Sequence, residues 1–336
     1  MIQRSSSLYR LVQSLRFGSS SQLGSYACYS SHATRLSPPC DGEDEYANMD
    51  WDNLGFGMTP TDYMYMVKCS KDGSFETGQL TSYGNLELSP SAGVLNYGQG
   101  LYEGTKAYRK EDGRLLLFRP DQNAIRMKMG ADRMCMPCPS IDQFVDAVKQ
   151  IAVANKRWEG LAPLNLYIEE EFHRASRGGA GGVKSITNYA PVLKAIARAK
   201  SRGFSDVLYL DSVNKKYIEE VSSCNIFLVK GNVISTPAAN GTILQGVTRR
   251  SIIEIARDNG YQVEERAIQV DELKVADEVF CTGTAVGVAP VGNITYQGTR
   301  VEYKMRNGSV AEKLYAILEG IKTGVIEDKK GWITEI

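Results

Sequence analysis

The stretch Gly178-Gly179-Ala180-Gly181-Gly182-Val183-Lys184 decides how this chain is read. Four glycines in five residues break an otherwise regular pattern, which places the domain boundary near them. Glycine lets the backbone pass close to a bulky ligand, and a lysine follows at once. A lysine that attacks a carbonyl must shed its proton, so it needs a partly desolvated, charge-tuned site. The same residues also read as a flexible linker carrying a solvated lysine.

Downstream, strands and helices alternate. Asp206–Leu210, Asn225–Val229, Val233–Ser235 and Glu278–Cys281 read as strands, and Thr248–Asn259 reads as a helix stopped by Gly260. Upstream, from Trp51 to about Leu117, short strands and turns dominate. Asp62–Cys69 is strand-like, Lys71–Ser74 and Glu111–Arg114 are turns, and Leu115–Phe118 is an apolar strand. Two helices follow, Asn123–Met134 and one starting at Ser140. The second has Gln143 as a capping partner and is expected to bury Phe144, Val148, Ile151 and Ala152. A strand is expected over Leu164–Glu170.

Three further arrangements could carry chemistry. Ile243–Arg250 enters a helix through Gly246 and Thr248, where free N–H groups and the helix dipole make an anion site or a plain cap. Glu219–Asn225 sets carboxylates before small polar residues at a strand start, as either a buried acid or a charged turn. Thr282–Ala285 is a turn of small donors, an anion nest or an ordinary turn.

Bulk properties narrow the function. The 336 residues suggest two domains or one large one. A net charge of zero argues against a nucleic-acid partner, and no apolar run is long enough for a membrane span. Seven cysteines are too few and too uneven for a disulfide framework. With only His32 and His173 beside the Cys135–Cys138 pair, a metal site is not expected, and that pair reads as structural or redox. Residues 1–40 hold Arg4, Arg10, Arg16 and Arg35 among serines, with no acidic residue before Asp41. Leu8, Leu11, Val12 and Leu15 add an apolar helical face, so the segment reads as an organelle transit peptide, mitochondrial in the first instance and plastid in the second.

Five segments taken in order resemble the branched-chain aminotransferase family in its plant form. They are Asn96–Gly104, Leu117–Pro120, Gly181–Lys184, Glu220–Phe227 and Cys281–Ala285, and the similarity runs from Asp50 nearly to the end. The resemblance implies an α/β chain of the α+β two-domain type found in class-IV, D-amino-acid-aminotransferase-like enzymes. A small α/β domain would cover 41–173, a linker 174–183, and a large domain 184–336 binding pyridoxal 5'-phosphate (PLP). It implies a homodimer that exchanges amino groups between leucine, isoleucine or valine and 2-oxoglutarate. Lys184 would form the Schiff base and move the α-proton. Glu220 would bond the pyridine nitrogen, and Tyr189 the phenolic oxygen. Arg119, the Gly246-Val247-Thr248 backbone and Thr284 would hold the phosphate, with Arg174 near the cofactor at the domain junction. Phe56, Tyr97 and Tyr102 would line the substrate side, where Ser223, Cys224 and Ala285 match further pocket positions.

In one place the chain departs from that family. A segment of several strands normally separates the helix ending near Trp158 from the strand near Leu164, and here only Glu159–Pro163 intervene. The small domain is therefore expected to be incomplete, without a Tyr-x-Arg strand on the carboxylate side of the pocket. Two expectations follow: a working enzyme, or an impaired variant that binds PLP weakly or pairs with an intact subunit.

Overall fold

In the strand Asp206–Leu210 every residue is buried, and alternate side chains face two different cores. Such burial on both faces is the mark of an interior strand. The computed structural model describes residues 60–70, 73–110, 112–156, 166–303 and 308–336. The described residues all belong to one compact unit, Glu43–Ile336. The expected leader, Phe56 and the Trp158–Leu164 junction lie outside the described residues.

The first elements are β1 (Tyr63–Met66), β2 (Gln79–Ser82), α1 (Gly93–Tyr97), β3 (Ala107–Arg109), β4 (Leu115–Phe118), α2 (Pro120–Arg133) and α3 (Ile141–Ala154). Then come β5 (Leu166–Glu169), α4 (Val192–Ser201), β6 (Asp206–Leu210), β7 (Tyr217–Val221), β8 (Asn225–Lys230), β9 (Val233–Pro237) and α5 (Val247–Asp258). The chain closes with β10 (Gln262–Arg266), β11 (Ile268–Gln269), β12 (Glu278–Gly283), β13 (Gly287–Pro290), β14 (Asn293–Tyr296), β15 (Thr299–Glu302), α6 (Val310–Lys322) and β16 (Ile333–Glu335).

Two large sheets carry the architecture, one ordered β11-β7-β6-β5-β14-β15 and the other β10-β9-β8-β12-β13. Between them lies a core that includes Leu208, Ile218, Ile226, Leu228, Val279 and Cys281. On the outer face of the first sheet, Val207 and Tyr209 meet Val192, Ala195 and Ala199 of α4. On the outer face of the second, Phe227, Val229 and Phe280 meet α5 and α6. Phe227 and Phe280 are direct cross-strand partners, and their rings stack at 5.0 Å. Fully burying a side chain of this size stabilises the fold by about 1.5–3 kcal/mol. The parallel pairs β5–β6 and β9–β10 each enclose a helix, α4 and α5 respectively. The α5 crossover delivers that helix's N-terminus to the ends of β7 and β8.

Residues 60–156 are less well covered. The capping box of α3 forms as expected, with Ser140 accepting from the Gln143 N–H and Gln143 returning the bond. Its apolar face does not bury as expected: Phe144, Val148, Ile151 and Ala152 are only half-buried, and no residue of α3 is fully buried. Among the described residues, α3 packs against α2, β1 and β4. Among the described residues, no helix is long and apolar enough to cross a membrane.

Candidate active site

Lys184 follows the glycine-rich stretch, and that stretch is packed rather than loose. A methyl group on Gly181 would lie 2.7 Å from the Thr242 carbonyl oxygen, and one on Gly182 would lie 3.0 Å from that of Gly241. The Asn188 side chain donates to the Ala180 and Val183 carbonyls, both at 2.9 Å. The flexible-linker reading therefore fails: glycine is required here because two backbones touch.

A second segment is stitched to the lysine. Leu101 and Ser185 form a β-bridge, the Tyr102 N–H donates to the Lys184 carbonyl at 3.2 Å, and Ile186 N–H donates to the Gly100 carbonyl at 3.2 Å. These bonds place the Tyr102 ring under the amine, with Lys184 Nζ 4.1 Å from its centroid. The amine also donates to the Tyr189 hydroxyl at 3.2 Å, and the two tyrosine rings meet edge to face at 4.9 Å. Burial first, then the Tyr189 hydroxyl, pushes the Tyr102 phenol well above its ordinary range.

Glu220 lies near the end of β7, and the small polar residues after it lead into β8 at Asn225, as the sequence suggested. Its carboxylate is buried and accepts the Leu244 N–H at 2.8 Å and the Asn225 side-chain N–H at 3.2 Å. Arg174 Nη1 stands 2.6 Å from Oε1, and both side chains are almost wholly enclosed. The approach is out of line for a hydrogen bond, so the contact is a close ion pair, and Arg174 Nε has no partner. Burial pushes the Glu220 carboxyl up to about 7, with Arg174 the strongest opposing influence. Lys184 also acts on it.

Asn225 ties the same carboxylate to the entry of α5, donating to the Leu244 carbonyl at 2.9 Å. Gly246 is the helix N-cap, and a methyl group there would lie 2.3 Å from Asn225 Oδ1. No side chain caps this end, so the N–H groups of Val247 and Thr248 lack helical partners and suit an anion. Thr248 is buried beside them.

The structure does not bring Arg119 into hydrogen bonding with this helix entry. Its guanidinium bonds Ser251 and Glu254 farther along α5, each at 3.0 Å, and lies over the Trp332 ring. Arg126 is the arginine at the entry. It reaches the Gln245 carbonyl at 3.4 Å and lines a cavity of about 20 Å³ with Gly182, Val183, Gln245 and Arg250. Glu103 holds it there through two bonds of 2.8 and 2.6 Å. Sequence reasoning missed Arg126, which stands on α2 seven residues beyond Arg119, the left-handed residue that precedes that helix.

The remaining candidates divide. The turn Ser222–Cys224 at the β7–β8 hairpin adjoins Gly283, since a methyl group on Gly283 would be 3.2 Å from Cys224 Sγ. Ser223 is exposed there, and burial pushes the Cys224 thiol up to about 12. The neighbouring hairpin turn holds Thr284 and Ala285, and Lys106 Nζ donates to the Ala285 carbonyl at 2.8 Å. Beside it the Thr282 hydroxyl is buried with no partner. Tyr97, at the end of α1, is 83% exposed, and no hydrogen bond or ring contact among the described residues joins it to the Lys184 group. Among the described residues, no cluster of three or more His, Cys, Asp or Glu could hold a metal.

A buried acid, an amine between two phenols and an uncapped helix entry thus share one site. A family model described as amino-transferase class IV matches residues 173–294. The chain is 63% identical over 340 residues to branched-chain-amino-acid aminotransferase 2, chloroplastic, of Arabidopsis thaliana, covering 88% of each chain. It is 57% identical to branched-chain amino acid aminotransferase 1, mitochondrial, of Humulus lupulus, over 392 aligned positions covering 100% of both chains. A solved branched-chain amino acid aminotransferase complexed with N-(5'-phosphopyridoxyl)-L-glutamate, from the source abbreviated T.th., is 27% identical. Its TM-score is 0.66, over 75% of this chain and 95% of that one. Sheets, site and relatives agree: the chain belongs to the branched-chain amino acid aminotransferase family, within the class IV aminotransferases.

Proposed function

We propose that this chain is a PLP-dependent aminotransferase exchanging amino groups between leucine, isoleucine or valine and 2-oxoglutarate. The observation that carries the reading is the Lys184 amine held 3.2 Å from the Tyr189 hydroxyl, close enough to feel the Glu220 carboxylate. The donor set fits the cofactor: an amine for its aldehyde, a phenol for its ring oxygen, a buried acid for its ring nitrogen, and a helix entry with arginine for its phosphate. The buried, unpartnered Thr282 hydroxyl is a spare donor such a ligand would meet.

Bound PLP supplies a carbonyl for the amino group and a protonated ring that withdraws electrons from the substrate Cα. Lys184 carries the proton to and from that carbon. Tyr189 orients the amine, and the Tyr102 face steadies its charge. Arg126 and the N–H groups of Val247 and Thr248 anchor the phosphate, aided by Thr284, while Arg119 braces α5 from outside. Ser223, Cys224 and Ala285 border the substrate side, with Tyr102 as its aromatic wall, and we assign Phe56 and Tyr97 to that side as well.

The reading extends to assembly and address. A homodimer is supported by the apolar surface left exposed along 86–97, including Leu86, Leu95 and Tyr97. An organelle address is supported by the mitochondrial and chloroplastic names of the two relatives, and the arginine-rich, acid-free first forty residues favour the mitochondrion. A missing segment after Trp158 is supported by an alignment with the hop relative longer than the chain itself, 392 positions against 336 residues. We keep the division into 41–173, 174–183 and 184–336 as the domain reading.

The test is direct. The purified chain is incubated with PLP, its visible absorbance recorded, and leucine assayed with 2-oxoglutarate. The reading requires a visible band that Lys184→Ala abolishes, together with turnover. Absence of a lysine-dependent band would refute it.

A further inference from the structure

We infer that Arg174 is a positioning residue whose ion pair with Glu220 shifts that acid toward its ionised form and holds it in place for the cofactor's ring nitrogen. The inference deepens the proposed function and rests on it. Three observations carry it. The two side chains are 2% and 3% exposed, so solvent does not screen their 2.6 Å approach. Both carboxylate oxygens already accept a hydrogen bond, Oε1 from the Leu244 N–H and Oε2 from the Asn225 side chain, which fixes the acid beside the arginine. Arg174 itself is placed by the segment joining β5 to the glycine stretch, which ties the acid's charge state to the backbone that presents Lys184.

The charges facing Glu220 are few. Arg174 and Lys184 favour its ionised form, Glu219 opposes it, and the nearby Cys224 thiol is held neutral by burial. Burial alone drives the carboxyl toward its neutral form, and Arg174 is the largest influence restoring the charge. A neutral acid could not hold the ring nitrogen protonated. Removing Arg174 should therefore act at the ring without touching the reacting atoms.

Because the effect runs through Glu220, it must vanish where Glu220 cannot ionise. The full chain loaded with PLP is compared as wild type, Arg174→Met, Glu220→Gln and the double variant. The readouts are turnover and the pH midpoint of the visible band. Arg174→Met is expected to move the midpoint to higher pH and to lower kcat by about tenfold or more, while adding nothing in the Glu220→Gln background. Arg174→Lys, which retains the charge without the fork, should titrate closer to wild type than Arg174→Met. Independent, multiplying losses, or an unmoved midpoint, overturn the inference. If Arg174→Met alone fails to fold, the double variant relieves its unpaired carboxylate, and any difference from Glu220→Gln in band or turnover overturns it equally. A wild-type chain with no lysine-dependent band would instead defeat the cofactor reading itself, a result distinguishable from the others.

Discussion

Glu220 accepts the backbone N–H of Leu244 at 2.8 Å, so the buried acid and the entry to α5 form one piece. The bond joins a strand end to a loop 24 residues later and fixes how far the acid lies from the helix N-terminus. A ligand spanning both must match that separation, and a change at either end is felt at the other.

Gly246→Ala tests this coupling. The backbone there, at φ −60°, accepts alanine, but the new methyl group would lie 2.3 Å from Asn225 Oδ1. Asn225 must move, and its bonds to Glu220 and Leu244 move with it. Overpacking of this kind costs about 1–3 kcal/mol, so PLP affinity should fall about tenfold or more by absorbance titration. Unchanged affinity would show that the helix entry does not hold the cofactor.

The two arginines separate by a pair of variants. Arg126→Ala leaves Glu103 buried without its partner, which costs about 3–5 kcal/mol in folding, and it should also weaken PLP binding. Arg119→Ala should lower the melting temperature through the lost contacts to Ser251, Glu254 and Trp332, with PLP affinity little changed. The reverse pattern in affinity would return the phosphate to Arg119.

Stability against pH carries the signature of Glu220. Its carboxyl is raised from 4.5 in the unfolded chain to about 7 in the fold. A raised pKa means that the folded state holds a proton the unfolded chain has released. The contribution is therefore full below 4.5 and is lost as pH climbs through about 7. In urea unfolding of the cofactor-free protein, wild type should lose stability relative to Glu220→Gln across that window. A parallel pair of curves would contradict the burial argument.

Lys106 is expected to govern substrate binding more than chemistry. Its amine fixes the Ala285 carbonyl at 2.8 Å, and burial, reinforced by Lys322, brings its pKa down to about 8. Lys106→Met should raise KM for the amino acid with a smaller effect on kcat, because the turn loosens while Lys184 is untouched. A kcat loss with constant KM would place Lys106 elsewhere in the cycle.

Hydrogen exchange should find α3 among the first elements to open. None of its residues is fully buried, whereas β6 is buried throughout. Local opening is easiest where few apolar contacts must be broken, so α3 amides should exchange well before those of β6, β8 and β12. Equal protection would mean that another chain covers its apolar face.

Much of this protein was settled by short-range rules. The Ser140–Gln143 capping box formed as its residues dictate, Gly246 opened a helix, and the β8 pattern alternated between two cores, because caps, turns and periodicity depend on near neighbours. The pairing of Lys184 with Tyr189, five residues on across a 3-10 turn, was implied by the family resemblance rather than by local spacing. The tertiary structure decided the rest. It packed the glycine stretch against Gly241 and Thr242, put Arg126 at the helix entry where the resemblance implied Arg119, paired Arg174 with Glu220, and left α3 half-covered. Each of those outcomes joins residues distant in the chain. Their contact follows from sheet order and crossover direction, which no local spacing encodes.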